Sequence, residues 1–136
     1  SRAFERSLQI REKLVALTGE SPQALRDVSI SLSNVGQTQQ ALGDLSGASR
    51  AFERSLQIRE KLVALTGESP QALRDLAVSW VMLAGLDGSG EPGGNAAQQA
   101  KQIFERLVAA YPQNAQYRQD LANVLTLETS PKGANS

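Results

Sequence analysis

The sequence contains no cysteine and no histidine. Their absence excludes disulfides, thiolate nucleophiles, imidazole bases and the usual protein ligands of zinc, copper and haem. The side chains that remain for chemistry are carboxylates, hydroxyls, two tyrosines and four lysines. We therefore predict that the protein is not an enzyme and that it holds no metal or other cofactor.

Aromatic residues are scarce, at 4% of the chain, and neither sign of charge is in excess, because 14 Lys and Arg balance 14 Asp and Glu. Binding to nucleic acid or to an anionic membrane requires a clustered excess of Lys and Arg, so we predict neither partner. No apolar run reaches the length of a membrane-spanning helix, and no signal peptide is recognisable. Because its first residues already lie within a helical pattern, we expect the chain to be part of a longer protein.

The main feature of the sequence is an internal repeat. The segment Ser1–Asp27 occurs again, without one substitution, as Ser49–Asp75, which gives a period of 48 residues. Self-similarity at a fixed period of this size indicates an architecture built by stacking one supersecondary unit on the next. In such a stack the core lies between neighbouring units and is not gathered in one place.

Apolar residues spaced three and four apart predict six amphipathic helices joined by short links. Ser21-Pro22 and Ser69-Pro70 are typical of an N-cap followed by proline in the first turn, while Gly19, Gly43 and Gly67 are typical helix stops. The predicted helices cover residues 1–17, 22–41, 45–65, 70–86, 95–110 and 114–126. The composition of residues 88–94 predicts a loop.

Three features of the helices carry predictions about packing. Gly36 lies inside the second helix, where glycine costs about 1 kcal/mol relative to alanine, so we predict the close approach of a neighbouring helix. Trp80 lies on the core stripe of the fourth helix. The stripe of the third helix is predicted to be Phe52, Leu56, Ile58, Leu62, Val63 and Leu65.

These positions resemble the tetratricopeptide repeat family. Its first helix carries a bulky residue, Leu, and Gly or Ala; its second carries Gly-Asp, Ala, an aromatic residue, and a small residue followed by Leu. The matching positions are Leu32, Val35, Gly36, Gly43, Asp44, Ala48, Phe52, Ser55 and Leu56 in one unit, and Trp80, Leu83, Ala84, Ala100, Phe104, Leu107 and Pro112 in the next. The period of 48 is longer than the usual 34, and is similar to the longer-helix variant of kinesin light chains and bacterial relatives.

The resemblance implies an all-α fold, an α-α superhelix of the helical repeat solenoid type with about six antiparallel helices. It implies a repeat domain over residues 1–129, followed by a disordered tail over residues 130–136. Within the domain it implies a half repeat, two full repeats and a capping helix, at residues 1–18, 22–66, 70–111 and 114–128.

In the resembled family, the first helix of each pair lines a concave groove that takes a segment of another protein. The groove-facing residues would be Arg26, Ile30, Ser33, Asn34, Gln37, Arg74, Val78, Val81, Met82, Gln116, Gln119 and Asn123. Lysine is absent from these positions, so the family's clamp of Lys, Asn and Arg on a C-terminal carboxylate is not expected.

Arg26 and Arg74 suggest what such a groove could recognise. Their neighbours Asp27 and Asp75 point about 100° away around each helix, so they need not neutralise the guanidiniums. One interpretation is that the two arginines anchor acidic side chains of a short acidic and aliphatic segment. The other is that each arginine forms a surface ion pair with Glu or Asp of the chain itself.

Two functions remain open at this point. The first is a non-catalytic scaffold that binds a segment of another protein. The second is a structural or regulatory array of a larger protein that mediates self-association or sensing. We also expect self-association or fraying at the first helix, because its residues Phe4, Leu8 and Val15 lack the cover of a hairpin partner.

Overall fold

The computed structural model describes residues 5–10, 12, 21–86 and 95–129, and in these ranges the regular structure is helical, without a strand. The first helical segment, α1, covers residues 5–10, and residue 12 is helical as well. Five longer helices follow: α2 (Pro22–Ala41), α3 (Leu45–Leu65), α4 (Pro70–Leu86), α5 (Asn95–Ala110) and α6 (Ala115–Thr129). The all-α prediction is confirmed for the described part of the chain.

Local side-chain and backbone chemistry accounts for the helix ends. The Ser21 hydroxyl accepts a hydrogen bond from the Ala24 N–H at 3.1 Å, and the Ser69 hydroxyl accepts one from the Ala72 N–H at 3.2 Å. Gly43 and Gly67 follow α2 and α3 with φ of 85° and 64°, a region that glycine adopts without steric cost. The predicted starts and stops at these residues are confirmed.

The observed bounds of α2 to α5 coincide with the predicted ones. Helix α6 begins after its N-cap Asn114, whose Oδ1 accepts from the Tyr117 N–H at 2.9 Å, and it continues three residues beyond the predicted end at 126. Most of the predicted first helix, the loop at 88–94 and the tail at 130–136 lie outside the described residues. The self-association predicted at the first helix remains a prediction.

Each helix packs mainly on its neighbours in sequence, α2 on α3, α3 on α4, α4 on α5 and α5 on α6. Most of the buried apolar residues form three clusters along this row. They are Leu8, Val28, Leu32, Val35 and Ala51 at the α1 end, Leu25, Leu62 and Ala72 in the middle, and Leu73, Ala77, Ala100, Ile103, Phe104, Leu107 and Val124 at the α6 end. The core is therefore divided between neighbouring units, as the repeat predicted.

At Gly36 of α2, the side chain of Phe52 on α3 lies directly against the helix backbone. A Cβ placed on Gly36 would lie 2.4 Å from Cε1 and 2.6 Å from Cδ1 of Phe52, a ring that is only 1% exposed. The predicted close approach at Gly36 is confirmed, and the approaching group is the aromatic side chain of the next helix. The next unit has Ala84 at the position equivalent to Gly36.

We expect Gly36→Ala to lower the free energy of unfolding by about 1–2 kcal/mol net, because the added methyl group must displace a buried ring at a cost of about 2–3 kcal/mol. This cost outweighs the gain of about 1 kcal/mol from the higher helix propensity of alanine. Urea denaturation followed by circular dichroism measures the difference. Gly85 in α4 provides the matched control, because a Cβ there meets no atom within 4 Å. A Gly36→Ala variant as stable as the parent would contradict the packing described.

Candidate functional site

Two ion pairs join the first helices of successive units. Arg26 on α2 donates from Nε to Oδ2 of Asp75 on α4 at 2.8 Å. Arg74 on α4 donates to both oxygens of Asp120 on α6, from Nε at 2.7 Å and from Nη2 at 3.3 Å. The carboxylate side chains are 12% and 8% exposed, whereas the arginines are about one-third exposed. Each pair thus consists of a nearly buried acceptor and a partly solvated donor.

The two ion pairs follow one rule of position. Ser21, Ser69 and Asn114 are the N-caps of α2, α4 and α6. Counting from the N-cap, arginine at the fifth position of one unit pairs with aspartate at the sixth position of the next unit. In α6 the fifth position is occupied by Gln119, so the described series ends there.

A third arginine, Arg59 of α3, is 5% exposed and lies between α2 and α4. Its Nε donates to the Ser29 hydroxyl at 3.2 Å, and its Nη1 donates to the Ser79 hydroxyl at 2.8 Å and to the Asp75 carbonyl at 3.1 Å. Burial lowers the pKa of Arg59 from its ordinary value, and the negative charge of Asp75 opposes that shift. Asp75 is therefore the counter-charge for a buried guanidinium as well as the partner of Arg26.

The hydrogen bond from Arg74 to Asp120 has the opposite electrostatic consequence. It raises the pKa of Arg74, against the desolvation that accompanies partial burial. The guanidinium is thus more strongly held in its charged form where it is paired than it would be in water. Gln116 adds a further donor to Asp120, with its Nε2 2.8 Å from Oδ1.

Ser33 is not part of an exposed surface. Its side chain is buried between α2 and α3, where its Oγ lies 3.1 Å from the Oγ of Ser55. Ser55 donates in turn to the Ser29 carbonyl at 2.9 Å. The prediction that Ser33 faces a groove is wrong, because α3 brings a small polar partner close enough to cover it.

The interpretation of Arg26 and Arg74 as free anchors also needs correction. Asp27, the neighbour of Arg26 in sequence, accepts a hydrogen bond from Gln23, and Asp75, the neighbour of Arg74, pairs with Arg26. The neutralising carboxylates come from the following unit, at Asp75 and Asp120. Spacing within one helix could not reveal them, because each partner is more than 45 residues away.

The other predicted site residues are at least partly accessible. Ile30, Asn34, Val78, Val81 and Met82 are half-buried, and Gln37, Gln116, Gln119 and Asn123 are exposed. Gln119 donates to Asn123 at 2.9 Å within α6. We call these nine residues, together with Arg26 and Arg74, the α2–α4–α6 face.

Charge is distributed unevenly between the helices. In α2 no charged residue follows Asp27, and in α4 none follows Asp75, whereas α3 carries six charged residues along its length. The uncharged half of α4 is also less covered than that of α2. Trp80 and Leu83 are partly exposed, while their counterparts Leu32 and Val35 are 1% and 5% exposed. Trp80 packs against the core cluster but is not fully enclosed, so the prediction for this residue holds only in part.

Two features of α3 were missed or misassigned from the sequence. Arg59 lies three residues after Leu56 and three before Leu62, which places it on the buried stripe, and this spacing could have identified it. Leu65, predicted to be in the core, is 52% exposed. The hydrophobic pattern alone assigned Leu65 to the core and left Arg59 out, because the pattern takes no account of hydrogen-bonding partners on neighbouring helices.

No protein-family model matches the chain, and a search of curated proteins finds no relative. Among the helices that the structure describes, none has the length and apolar character required to cross a membrane. Within the same residues there is no group of three or more acidic side chains that could hold a metal ion.

Proposed function

We propose that the chain is a non-catalytic protein-interaction module and that its α2–α4–α6 face binds an extended segment of another protein. The observation that carries the proposal is the absence of charge from the accessible positions within residues 28–41 of α2 and 76–86 of α4. Charged residues are depleted from the cores of protein interfaces and are abundant on surfaces that remain in water. The charged faces of α3 and α5 are of the second kind.

The apolar residues of this face support the proposal. Val78 and Met82 are half-buried and belong to none of the core clusters. They lie one turn apart on α4, and Ile30 is the counterpart of Val78 on α2. Val78 and Met82 are neighbours on one face of α4, and such grouped apolar side chains mark a site of association more often than an isolated exposed residue does. The resemblance to the long-helix tetratricopeptide type favours the same helices as the binding surface.

Selection from a displayed library of randomised peptides tests this function, followed by affinity measurement of the enriched peptides. We expect Val78→Asp and Met82→Asp each to weaken binding by at least about tenfold, or about 1.4 kcal/mol, because an unpaired carboxylate would be desolvated in the interface. Gln57→Asp introduces the same charge on the exposed side of α3 and is the matched control. Equal loss of binding in the Gln57 variant, or none in the two α4 variants, would place the interaction on another surface.

A further inference from the structure

We infer that the segment bound by the α2–α4–α6 face is uncharged, with aliphatic side chains at its centre, and that its binding is nearly independent of salt. This inference rests on the proposed function and concerns the chemistry of the partner. It reverses the expectation of an acidic partner that Arg26 and Arg74 suggest in sequence.

The two arginines of the face are already paired within the chain. Both already donate to carboxylates of the chain, at 2.8 Å for Arg26 and at 2.7 Å for Arg74. An acidic ligand would have to displace Asp75 or Asp120, which are 8% and 6% exposed as whole residues. Displacement would leave a nearly buried carboxylate without its cation, and this penalty exceeds what a new, partly solvated ion pair returns.

The positive and negative charges of the face nearly balance. Arg26 with Asp75, and Arg74 with Asp120, sum to zero. Of the remaining charged residues in the three helices, Arg118 and Glu128 of α6 cancel, which leaves Asp27 near the start of α2. A surface of this kind offers no long-range attraction to either sign of charge. A charged partner residue placed over Val78 or Met82 would lose its hydration without compensation.

The face also carries side-chain amides that could bind a peptide backbone. Within the part of the chain that the structure describes, the side-chain amides of Asn34 and Gln37 make no hydrogen bond, in contrast to Gln116 and Gln119. Each amide presents donors and an acceptor, which match the N–H and C=O groups of an extended peptide backbone. Asn34 is the counterpart of Met82 in the repeat, so equivalent positions supply a backbone contact on α2 and an adaptable apolar contact on α4.

The test compares three peptide libraries that differ only in composition: one uncharged and rich in aliphatic and polar residues, one enriched in Asp and Glu, and one enriched in Lys and Arg. Each is selected on the parent chain and counter-selected on the Met82→Asp variant. We expect enrichment from the uncharged library alone. The affinity of the enriched peptides should change by less than about twofold between roughly 50 and 500 mM NaCl, because surface charge interactions are screened over this range.

Two substitutions in α2 test the role assigned to the amides. We expect Asn34→Ala with Gln37→Ala to weaken binding of an enriched peptide by about fivefold to tenfold, since hydrogen bonds to the peptide backbone are lost. Gln57→Ala on α3 is the control and should leave the affinity unchanged.

The outcomes separate this inference from the proposed function. Enrichment from the acidic or basic library that Met82→Asp abolishes would overturn the uncharged partner and retain the binding face. A tenfold loss of affinity between roughly 50 and 500 mM NaCl would likewise overturn the uncharged partner and retain the binding face. No enrichment from any library, or enrichment that Met82→Asp does not affect, would overturn both.

Discussion

Replacing Phe52 by alanine is expected to lower the free energy of unfolding by about 3–5 kcal/mol. The ring is 1% exposed and occupies the gap that Gly36 leaves in α2. Because glycine at position 36 has no side chain to move into the vacated space, the cavity would be only partly refilled. Equilibrium denaturation in urea, monitored by far-UV circular dichroism, measures the loss.

Leu65→Ala on the same helix is the control for Phe52→Ala. It removes an aliphatic side chain that the hydrophobic pattern assigns to the core but that is 52% exposed. A loss of about 0.5 kcal/mol or less is expected for such a surface position. If Leu65→Ala were as destabilising as Phe52→Ala, the orientation of α3 described above would be wrong.

The second large effect is expected at Asp75. Asp75→Asn keeps the size of the side chain but removes the charge that faces both Arg26 and the buried Arg59. Leaving a buried guanidinium without its counter-charge costs about 3 kcal/mol. The free energy of unfolding should therefore fall by roughly this amount, and the variant should show a lower midpoint of thermal unfolding.

The duplication supplies a matched control for Asp75→Asn. Asp27 occupies the same position in the identical segment of the preceding unit, but it is half-buried and accepts a hydrogen bond from Gln23. We expect Asp27→Asn to cost less than Asp75→Asn, because Asp27 is more exposed and because Asp75 carries the negative charge that acts on the buried Arg59. Equal losses at the two positions would mean that the local sequence, and not the contact between units, determines the contribution of the aspartate.

The ends of the helices could be predicted because they depend on residues close together in the chain. Ser21 and Ser69 cap the N–H groups three residues ahead of them, and Gly43 and Gly67 adopt the left-handed conformation that ends the preceding helix. These interactions span one turn, so the residues of that turn are enough to predict them. The close approach at Gly36 could also be predicted, because a residue that is unfavourable inside a helix is usually explained by packing.

The candidate binding surface could be predicted only in outline. Eleven of the twelve predicted residues are at least partly accessible along α2, α4 and α6, because the periodicity of each helix separates its core side from its outer side. Ser33 is buried, and Arg26 and Arg74 are partly exposed but already paired; each of the three is engaged by a residue of another helix. Whether a polar residue at the border of the core is covered depends on what the neighbouring helix carries there.

By itself, the sequence determined the helical class, the bounds of α2 to α5 and the division of the core between repeated units, since periodicity and capping are local. Only the tertiary structure decided the electrostatic state of the α2–α4–α6 face. The segments containing Arg26 and Arg74 are identical in sequence, yet their carboxylate partners come from different units, 49 and 46 residues further along the chain. The physical reason is that an ion pair or a buried guanidinium is defined by distances of about 3 Å across helices, and these distances exist only once the units have stacked.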